Sequence, residues 1–141
     1  MSNHKLHLLI ISQEKQLADV EVDSLSVPTV EGEITILPSH VALFSRLQTG
    51  ELRYTMNHEE MSFVISKGFV DVGMNNDVTV LVDIAVEARQ ISLEKAEAAV
   101  KAAHETMSQT VDRRELMMAE ASLRLALLEI KVAQKTKHAR I

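Results

Sequence analysis

The hydrophobic pattern of this chain changes its period once, near Val86, and that change limits the folds that the sequence can adopt. Up to about Val86, apolar and polar residues alternate in short stretches separated by turn-forming residues. The alternating stretches are residues 5–12, 18–27, 33–37, 50–56, 61–66, 68–74 and 77–83. Period-two alternation is typical of strands with one buried face, and many short strands indicate a β-sandwich or a flattened barrel. In residues 18–27, Val20 and Val22 are out of phase with Leu25 and Val27, which predicts a bulge near Asp23.

After Val86 the pattern is helical. Beyond Gly73 the chain has no glycine or proline, and Ala, Glu, Lys and Leu dominate its last third. Ser92 is a good N-cap for a helix from Leu93 to about Met107, and Asp112 with Glu115 resembles a capping box that starts a second helix reaching about Lys135. A connection this short predicts an antiparallel hairpin. The predicted packed faces are Leu93, Ala96, Ala99, Val100, Ala103 and Met107, and Leu116, Ala119, Leu123, Ala126, Leu127, Ile130 and Ala133.

The predicted fold class is therefore α+β, with a β-sandwich at residues 1–86 and a C-terminal antiparallel two-helix hairpin at residues 87–141. The chain has no cysteine, which excludes disulfides, thiolate zinc sites and thiol catalysis. No run of eighteen apolar residues occurs, so we expect no membrane span and a soluble, cytosolic or stromal protein. Aromatic residues make up only 3% of the chain, and its net charge is −5, which argues against a nucleic-acid-binding protein.

Charge is distributed unevenly between the two halves. Residues 1–86 carry a net charge of −7 and residues 87–141 a net charge of +2. From Leu125 onward the sequence has one acidic residue, Glu129, and four cationic residues, Lys131, Lys135, Lys137 and Arg140. This basic end predicts contact with an acidic surface, although a solvated helix end whose cations complement the helix dipole has the same pattern.

The residues that could carry chemistry do not form a known catalytic pattern. Ser39 and His40 are adjacent in the sequence, and adjacent residues on an extended chain point to opposite sides. Ser39 also lacks the glycine-flanked turn on which a nucleophilic serine commonly lies. The other histidines lack the spacing of metal ligands, and no phosphate-binding glycine motif occurs. We therefore predict no catalytic constellation; a Ser39–His40 hydrolase would require activity that is lost in Ser39→Ala.

Two stretches resemble the epsilon subunit of F-type ATP synthase. "VEGEITILPSHVALFSRLQTGELR", at residues 30–53, is similar to that family's signature, and "ISKGFVDVGMNNDVTVLVDIA", at residues 65–85, is similar to a later conserved block. The matching residues of the first are Glu31, Gly32, Glu33, Ile36, Pro38, His40, Leu43, Leu47, Gly50, Leu52 and Arg53. Ser39 stands where the family usually has glycine, and Ala42 where it has proline. The likeness covers nearly the whole chain.

The resemblance implies a non-catalytic central-stalk subunit of a proton- or sodium-translocating ATP synthase, which couples the gamma subunit to the membrane c-ring. It places the c-ring contact at Glu31, Gly32 and Glu33. The gamma contact falls at Pro38, His40, Val41 and Leu43. It also implies that the hairpin extends towards the beta and alpha subunits and inhibits ATP hydrolysis through the basic residues Arg124, Lys131, Lys135, Lys137 and Arg140.

Some members of that family bind ATP on the hairpin through an [IL]-D-x-x-R-A motif. The corresponding segment, "ISLEKA" at residues 91–96, has Ser92 for the aspartate and Lys95 for the arginine. Lysine meets a phosphate as a point charge without arginine's planar fork, so Lys95 is a weak candidate and we predict little or no ATP binding. No other cofactor is implied.

The implied location is peripheral, on the cytoplasmic face of a bacterial inner membrane or the stromal side of a plastid thylakoid. Composition and periodicity fit equally well a free-standing β-sandwich adaptor whose basic hairpin binds some other acidic protein. Copurification with the alpha, beta and gamma subunits separates these two hypotheses.

Overall fold

A computed structural model describes residues 4–139, and the chain divides into two compact units between Glu87 and Ala88. The first unit contains ten strands. They are β1 (Leu6–Ile11), β2 (Gln16–Val22), β3 (Ser24–Thr29), β4 (Gly32–Ile36), β5 (Leu43–Leu47), β6 (Gly50–Met56), β7 (Glu59–Ile65), β8 (Gly68–Val72), β9 (Asp77–Val82) and β10 (Ala85–Glu87).

These strands form one hydrogen-bonded sheet in the order β10-β7-β6-β3-β5-β8-β9-β1-β2, with β4 paired to β3 beside this path. The sheet curls so that β2 approaches β6 and encloses a core. All the pairs are antiparallel except β1 and β9, which run parallel with His7 opposite Asp77. The side chains that fill the core are aliphatic and inaccessible to solvent: Leu8, Ile10, Val22, Leu25, Val27, Ile36, Leu52, Ile65, Val70 and Val80. The predicted β-sandwich or flattened barrel is confirmed.

The phase change at residues 18–27 falls where the chain changes its strand partner. The backbone amide of Asp23 donates to the Thr55 carbonyl (2.7 Å), and the chain passes there from β2, which pairs with β1, to β3, which pairs with β4 and β6. The irregularity predicted near Asp23 takes the form of a one-residue break: Asp23 lies between β2 and β3 in neither strand, and one additional residue inverts the phase of the buried side chains. Strands β5 and β10 were not predicted.

The second unit begins with a single 3₁₀ turn (Ala88–Gln90), followed by helix α1 (Leu93–Gln109) and helix α2 (Arg113–Ala139). The Ser92 hydroxyl accepts a hydrogen bond from the Lys95 amide (3.2 Å), as an N-cap does. The Asp112 carboxylate accepts from the Arg114 amide (2.8 Å), and Glu115 accepts from the Thr110 hydroxyl instead of reaching back to its own cap. Both predicted helix starts are correct, and both helices run slightly further than predicted.

The two helices pack through alanines spaced seven residues apart. Ala96 and Ala103 are buried on α1, and Ala119, Ala126 and Ala133 are buried on α2. Small side chains let two helix backbones approach closely while each alanine removes little apolar area from water. Leu127, predicted to belong to the packed face, is 51% exposed because it lies just beyond this row. Within residues 4–139, no helix is both long and apolar enough to cross a membrane.

Candidate functional sites

The predicted c-ring contact forms the tip of the β3–β4 hairpin. The Thr29 hydroxyl donates to the Gly32 carbonyl (2.5 Å) and accepts from the Glu31 amide (3.2 Å), which closes the turn. Gly32 has φ +124°, a conformation that favours glycine, and a Cβ there would meet open space. Glu33 is held by Arg53 of β6, whose Nη2 lies 2.8 Å from its carboxylate. Of the two acids, Glu31 is therefore the one whose carboxylate has no partner among the described residues.

Ser39 and His40 form a tight turn before β5. Ser39 has φ +69°, which explains why the related signature has glycine there, and its backbone amide donates to the Asn76 side-chain oxygen (2.7 Å). The His40 amide donates to the Leu37 carbonyl (3.1 Å), and its ring Nδ1 donates to the Val41 carbonyl (2.7 Å). The histidine ring is thus oriented by its own backbone, and within residues 4–139 the Ser39 hydroxyl bonds to neither ring nitrogen. This geometry does not make a nucleophile–base pair.

An exposed apolar patch lies on the outer face of β5, β8 and β9. Phe44 is 66% exposed and stacks on Phe69, with ring centroids 5.5 Å apart. Leu81 of β9 lies directly opposite Phe69 in the strand register, and Val41 precedes β5 with 76% of its surface exposed. We call Val41, Phe44, Phe69 and Leu81 the apolar patch. Contiguous exposed apolar side chains of this kind mark interaction surfaces.

Not every predicted gamma-facing residue belongs to the exposed surface. Leu43 is half-buried and packs against the core, and Pro38 and His40 are half-buried beside the turn. Sequence reasoning missed Phe44, Phe69 and Leu81. A signal was present for the two aromatics, because Phe44 shares its strand phase with Arg46, and Phe69 shares its phase with Asp71. An aromatic residue in phase with a charged one points outward.

The Ser39–His40 turn and the acidic tip lie at opposite ends of β5. The Ser39–His40 turn precedes the N-terminal end of β5, while at its C-terminal end Leu47 pairs with Thr29 and the Val30 amide donates to the Arg46 carbonyl (3.1 Å). Five extended residues span about 16 Å. The first unit presents two chemically different surfaces, one acidic and one apolar, which adjoin along β5, where Phe69 pairs with Arg46.

Three of the predicted regulatory cations share one side of α2. Arg124, Lys131 and Lys135 are exposed and lie seven and four residues apart, spacings that bring them to the same side of a helix. We call these three residues the basic stripe; exposed Leu127 lies beside it. Lys137 is exposed but falls on another side of the helix, and Arg140 lies outside the described residues.

Glu129, the acidic residue that opposes these cations in the sequence, is half-buried on α2. Burial raises the pKa of its carboxyl above the usual range, because the charged form loses hydration. The solvent-facing charge of this part of the helix is therefore dominated by the cations.

The hairpin offers little to a nucleotide phosphate. Lys95 is exposed in the first turn of α1, and the Ser92 hydroxyl is used as the helix cap. An open groove of about 390 Å³ between the helices is lined by Ala99, Ala102, Ala103, Thr106, Glu115, Met118, Ala119 and Ser122. Its one charged residue is an acid, so it would repel a phosphate. Among residues 4–139, no three His, Asp or Glu side chains converge as metal ligands.

Comparison with known proteins identifies the class that this fold represents. Residues 5–88 match the family described as ATP synthase, Delta/Epsilon chain, beta-sandwich domain. Three relatives, each called "ATP synthase epsilon chain", align along almost their whole length. The relative from Syntrophobacter fumaroxidans is 36% identical, and the alignment covers 94% of this chain and 98% of the relative. The relative from Herpetosiphon aurantiacus is 39% identical, with coverage of 92% of this chain and 94% of the relative. The relative from Dehalococcoides mccartyi is 40% identical, with coverage of 94% of this chain and 95% of the relative.

Solved structures agree with this class. A chain of the Euglena gracilis mitochondrial ATP synthase, from a structure of OSCP, F1 and the c-ring, is 25% identical with a TM-score of 0.76, covering 96% of this chain and 82% of the other. A chain of the Tetrahymena thermophila mitochondrial ATP synthase central stalk and c-ring shares the fold with a TM-score of 0.66, 16% identity and coverage of 94% and 99%. The chain therefore belongs to the family of ATP synthase epsilon chains, which are non-catalytic subunits of that complex.

Proposed function

We propose that this protein is the epsilon subunit of the central stalk, where its β-sandwich joins the gamma subunit to the c-ring. The observation that carries the proposal is the pair of unlike surfaces on the first unit, the acidic tip and the apolar patch. The apolar patch offers Phe44 and Phe69, and burying either side chain contributes about 2 kcal/mol. The patch binds gamma beside the Ser39–His40 turn, and the tip at Glu31 meets the polar loops of the c-ring.

The proposed location follows from these contacts. The protein is peripheral and is held at the membrane by the c-ring. We propose the cytoplasmic face of a bacterial inner membrane, which is supported by relatives from bacteria such as Syntrophobacter fumaroxidans and Dehalococcoides mccartyi. The regulatory part of the proposal is that the basic stripe of α2 meets acidic segments of the beta and alpha subunits and slows ATP hydrolysis.

The gamma contact predicts a large effect for one substitution in the apolar patch. Phe44→Asp should weaken binding of the isolated gamma subunit by roughly a hundredfold. The substitution replaces an aromatic side chain that the proposed complex buries with a charge that must be desolvated on binding. Binding is measured by titration calorimetry with the full chain.

Val30→Asp is the matched control for this experiment. Val30 is 49% exposed but lies at the tip and not in the apolar patch. It should bind gamma within about twofold of the unaltered chain. Equal weakening by both substitutions, or by neither, would contradict the assignment of the patch.

The tip predicts different roles for its two acids. Glu31→Gln should weaken binding to detergent-purified c-ring by about fivefold and leave thermal stability unchanged, because this carboxylate is free in the tip. Glu33→Gln should instead lower the free energy of unfolding by about 0.5 kcal/mol, the value of one exposed ion pair with Arg53. Binding by surface plasmon resonance and unfolding by denaturant titration separate the two roles, and the proposal fails if Glu31→Gln binds the c-ring normally.

A further inference from the structure

His7 lies between two carboxylates on neighbouring strands. Its ring Nε2 is 2.5 Å from Asp19 of β2, and its Nδ1 is 3.3 Å from Asp77 at the start of β9. The ring therefore bridges the strands on both sides of β1. Both nitrogens of a histidine donate hydrogen bonds when the ring is protonated, whereas a neutral ring has one donor. The two bridges are complete in the charged form.

The charges around His7 favour that form. His7 lies in a surface cleft whose other charged residues are Lys5, Asp19, Glu21 and Asp77. The turn beside the cleft contributes the neutral Asn75 and Asn76. The Lys5 ammonium is bound to Asp23 (2.8 Å), and the two carboxylates that contact the ring are those of Asp19 and Asp77. Hydrogen bonding to Asp19 first, and to Asp77 second, raises the pKa of His7 above its usual range.

Asn76 connects this cluster to the Ser39–His40 turn. Its backbone carbonyl accepts a hydrogen bond from the His7 amide (2.7 Å), and its side-chain oxygen accepts one from the Ser39 amide (2.7 Å). Asn76 has φ +62°, and Ser39 has φ +69°. Two residues in left-handed conformations are thus held by bonds that meet at one asparagine, next to the strand whose first residue is Asp77.

We propose that His7 is a proton-operated clamp that holds the Asn75–Asp77 turn and, through Asn76, sets the position of the Ser39–His40 turn. The regulatory consequence rests on the proposed function, in which that turn lies beside the gamma contact. The clamp is complete below the ordinary histidine pKa and is lost as the pH rises through the higher pKa that His7 has in the folded chain. Gamma affinity consequently falls as the pH rises, by on the order of fivefold between about pH 6 and about pH 8.5.

The clamp is tested by nuclear magnetic resonance on the full chain. The His7 ring signal should titrate above the usual histidine range and move to lower pH in Asp19→Asn. The Ser39 and Asn76 amide signals should shift with pH at the same midpoint as the His7 ring signal. Because His40 adjoins Ser39, the Ser39 response must persist in His40→Gln and vanish in His7→Gln. Asn76→Gly keeps the positive φ but removes the side-chain acceptor, so that His7 still titrates while Ser39 no longer follows.

Gamma binding at both ends of the pH range then tests the regulatory consequence. The fivefold change should disappear in His7→Gln and remain in His40→Gln. The clamp is refuted if the Ser39 signal titrates unchanged in His7→Gln, and its regulatory role is refuted if gamma binds with the same pH dependence in both variants. If the amide signals follow His7 but gamma fails to bind at any pH, the clamp stands and the proposed function fails.

Discussion

A chain that ends at Glu87 should bind the ATP synthase catalytic core and leave ATP hydrolysis uninhibited, whereas the full chain should slow hydrolysis severalfold. The first unit, which carries both proposed contacts, is retained in the shorter chain. The cut falls after Glu87 because Ala85–Glu87 forms β10, which pairs with Phe63–Ile65 of β7. Removing β10 would expose the edge of β7 and confuse loss of inhibition with loss of stability. The measurement is the hydrolysis rate of the reconstituted alpha, beta and gamma core.

A charge-reversal variant locates the inhibitory surface more sharply than the truncation. Changing Arg124, Lys131 and Lys135 to glutamate removes three cations from one side of α2, and three exposed ion pairs are together worth about 2 kcal/mol. Inhibition should therefore require roughly thirtyfold more of this variant.

The control has the same net charge. Lys101, Arg113 and Arg114 are exposed cations outside the basic stripe, and their reversal to glutamate should leave inhibition unchanged. Equal loss in both triple variants would show a dependence on net charge and not on the stripe. If the full chain and the truncated chain both bind and neither inhibits, the hairpin has no regulatory role and the protein is a mechanical linker.

Gly68→Ala should lower the free energy of unfolding of the β-sandwich by about 3 kcal/mol. A Cβ at Gly68 would lie 2.0 Å from the Leu81 carbonyl oxygen and 2.8 Å from the Val82 Cα, both backbone atoms of the paired strand β9. The overlap is relieved only if the β8–β9 pair separates. In a domain of this size we expect the melting temperature to fall by roughly 15 °C.

Gly73→Ala is the matched control because its Cβ would meet the Asp77 carbonyl oxygen at 3.4 Å, an ordinary contact. It should change the unfolding free energy by less than about 0.5 kcal/mol. The chain has one tyrosine and no tryptophan, and Tyr54 is buried in the sandwich, so tyrosine fluorescence follows this unit without interference from the helices. Equal melting temperatures for the two variants would contradict the clash at Gly68.

Local sequence rules predicted the helices and most of the strands. The features that these rules missed depend on pairing between strands that are distant in the sequence. Ser92 and Asp112 act as caps within a few residues of themselves, so the sequence alone identified both helix starts. The alternation around Asp23 showed that the phase changes, but only the pairing shows that the chain also passes there to new partners, β4 and β6. Strand β5 was missed because exposed Phe44 beside half-buried Leu43 obscures its alternation.

In the candidate sites too, some features were predicted from local sequence, and others depend on residues that are distant in the chain. The family resemblance found the tip and the turn, because a glycine with positive φ and a Pro–Ser–His turn leave clear sequence signals. Which acid is free at the tip depends on Arg53, twenty residues after Glu33, and no local rule predicts that ion pair. Likewise, the His7 cluster unites residues from three strands, and Asp77 is seventy residues away along the chain.

The parallel pairing of β1 with β9 also determines when, during synthesis, β1 gains its second strand partner. A ribosome releases β1 first, and β1 can pair with β2 at once because they are neighbours in the chain. The other edge of β1 stays open until residues 77–82 have emerged, so the sheet cannot close while most of it is already made. Helices α1 and α2 form from near contacts and fold as they appear. The nascent chain therefore carries an unpaired edge on β1 and another on β8 until β9 emerges and pairs with both.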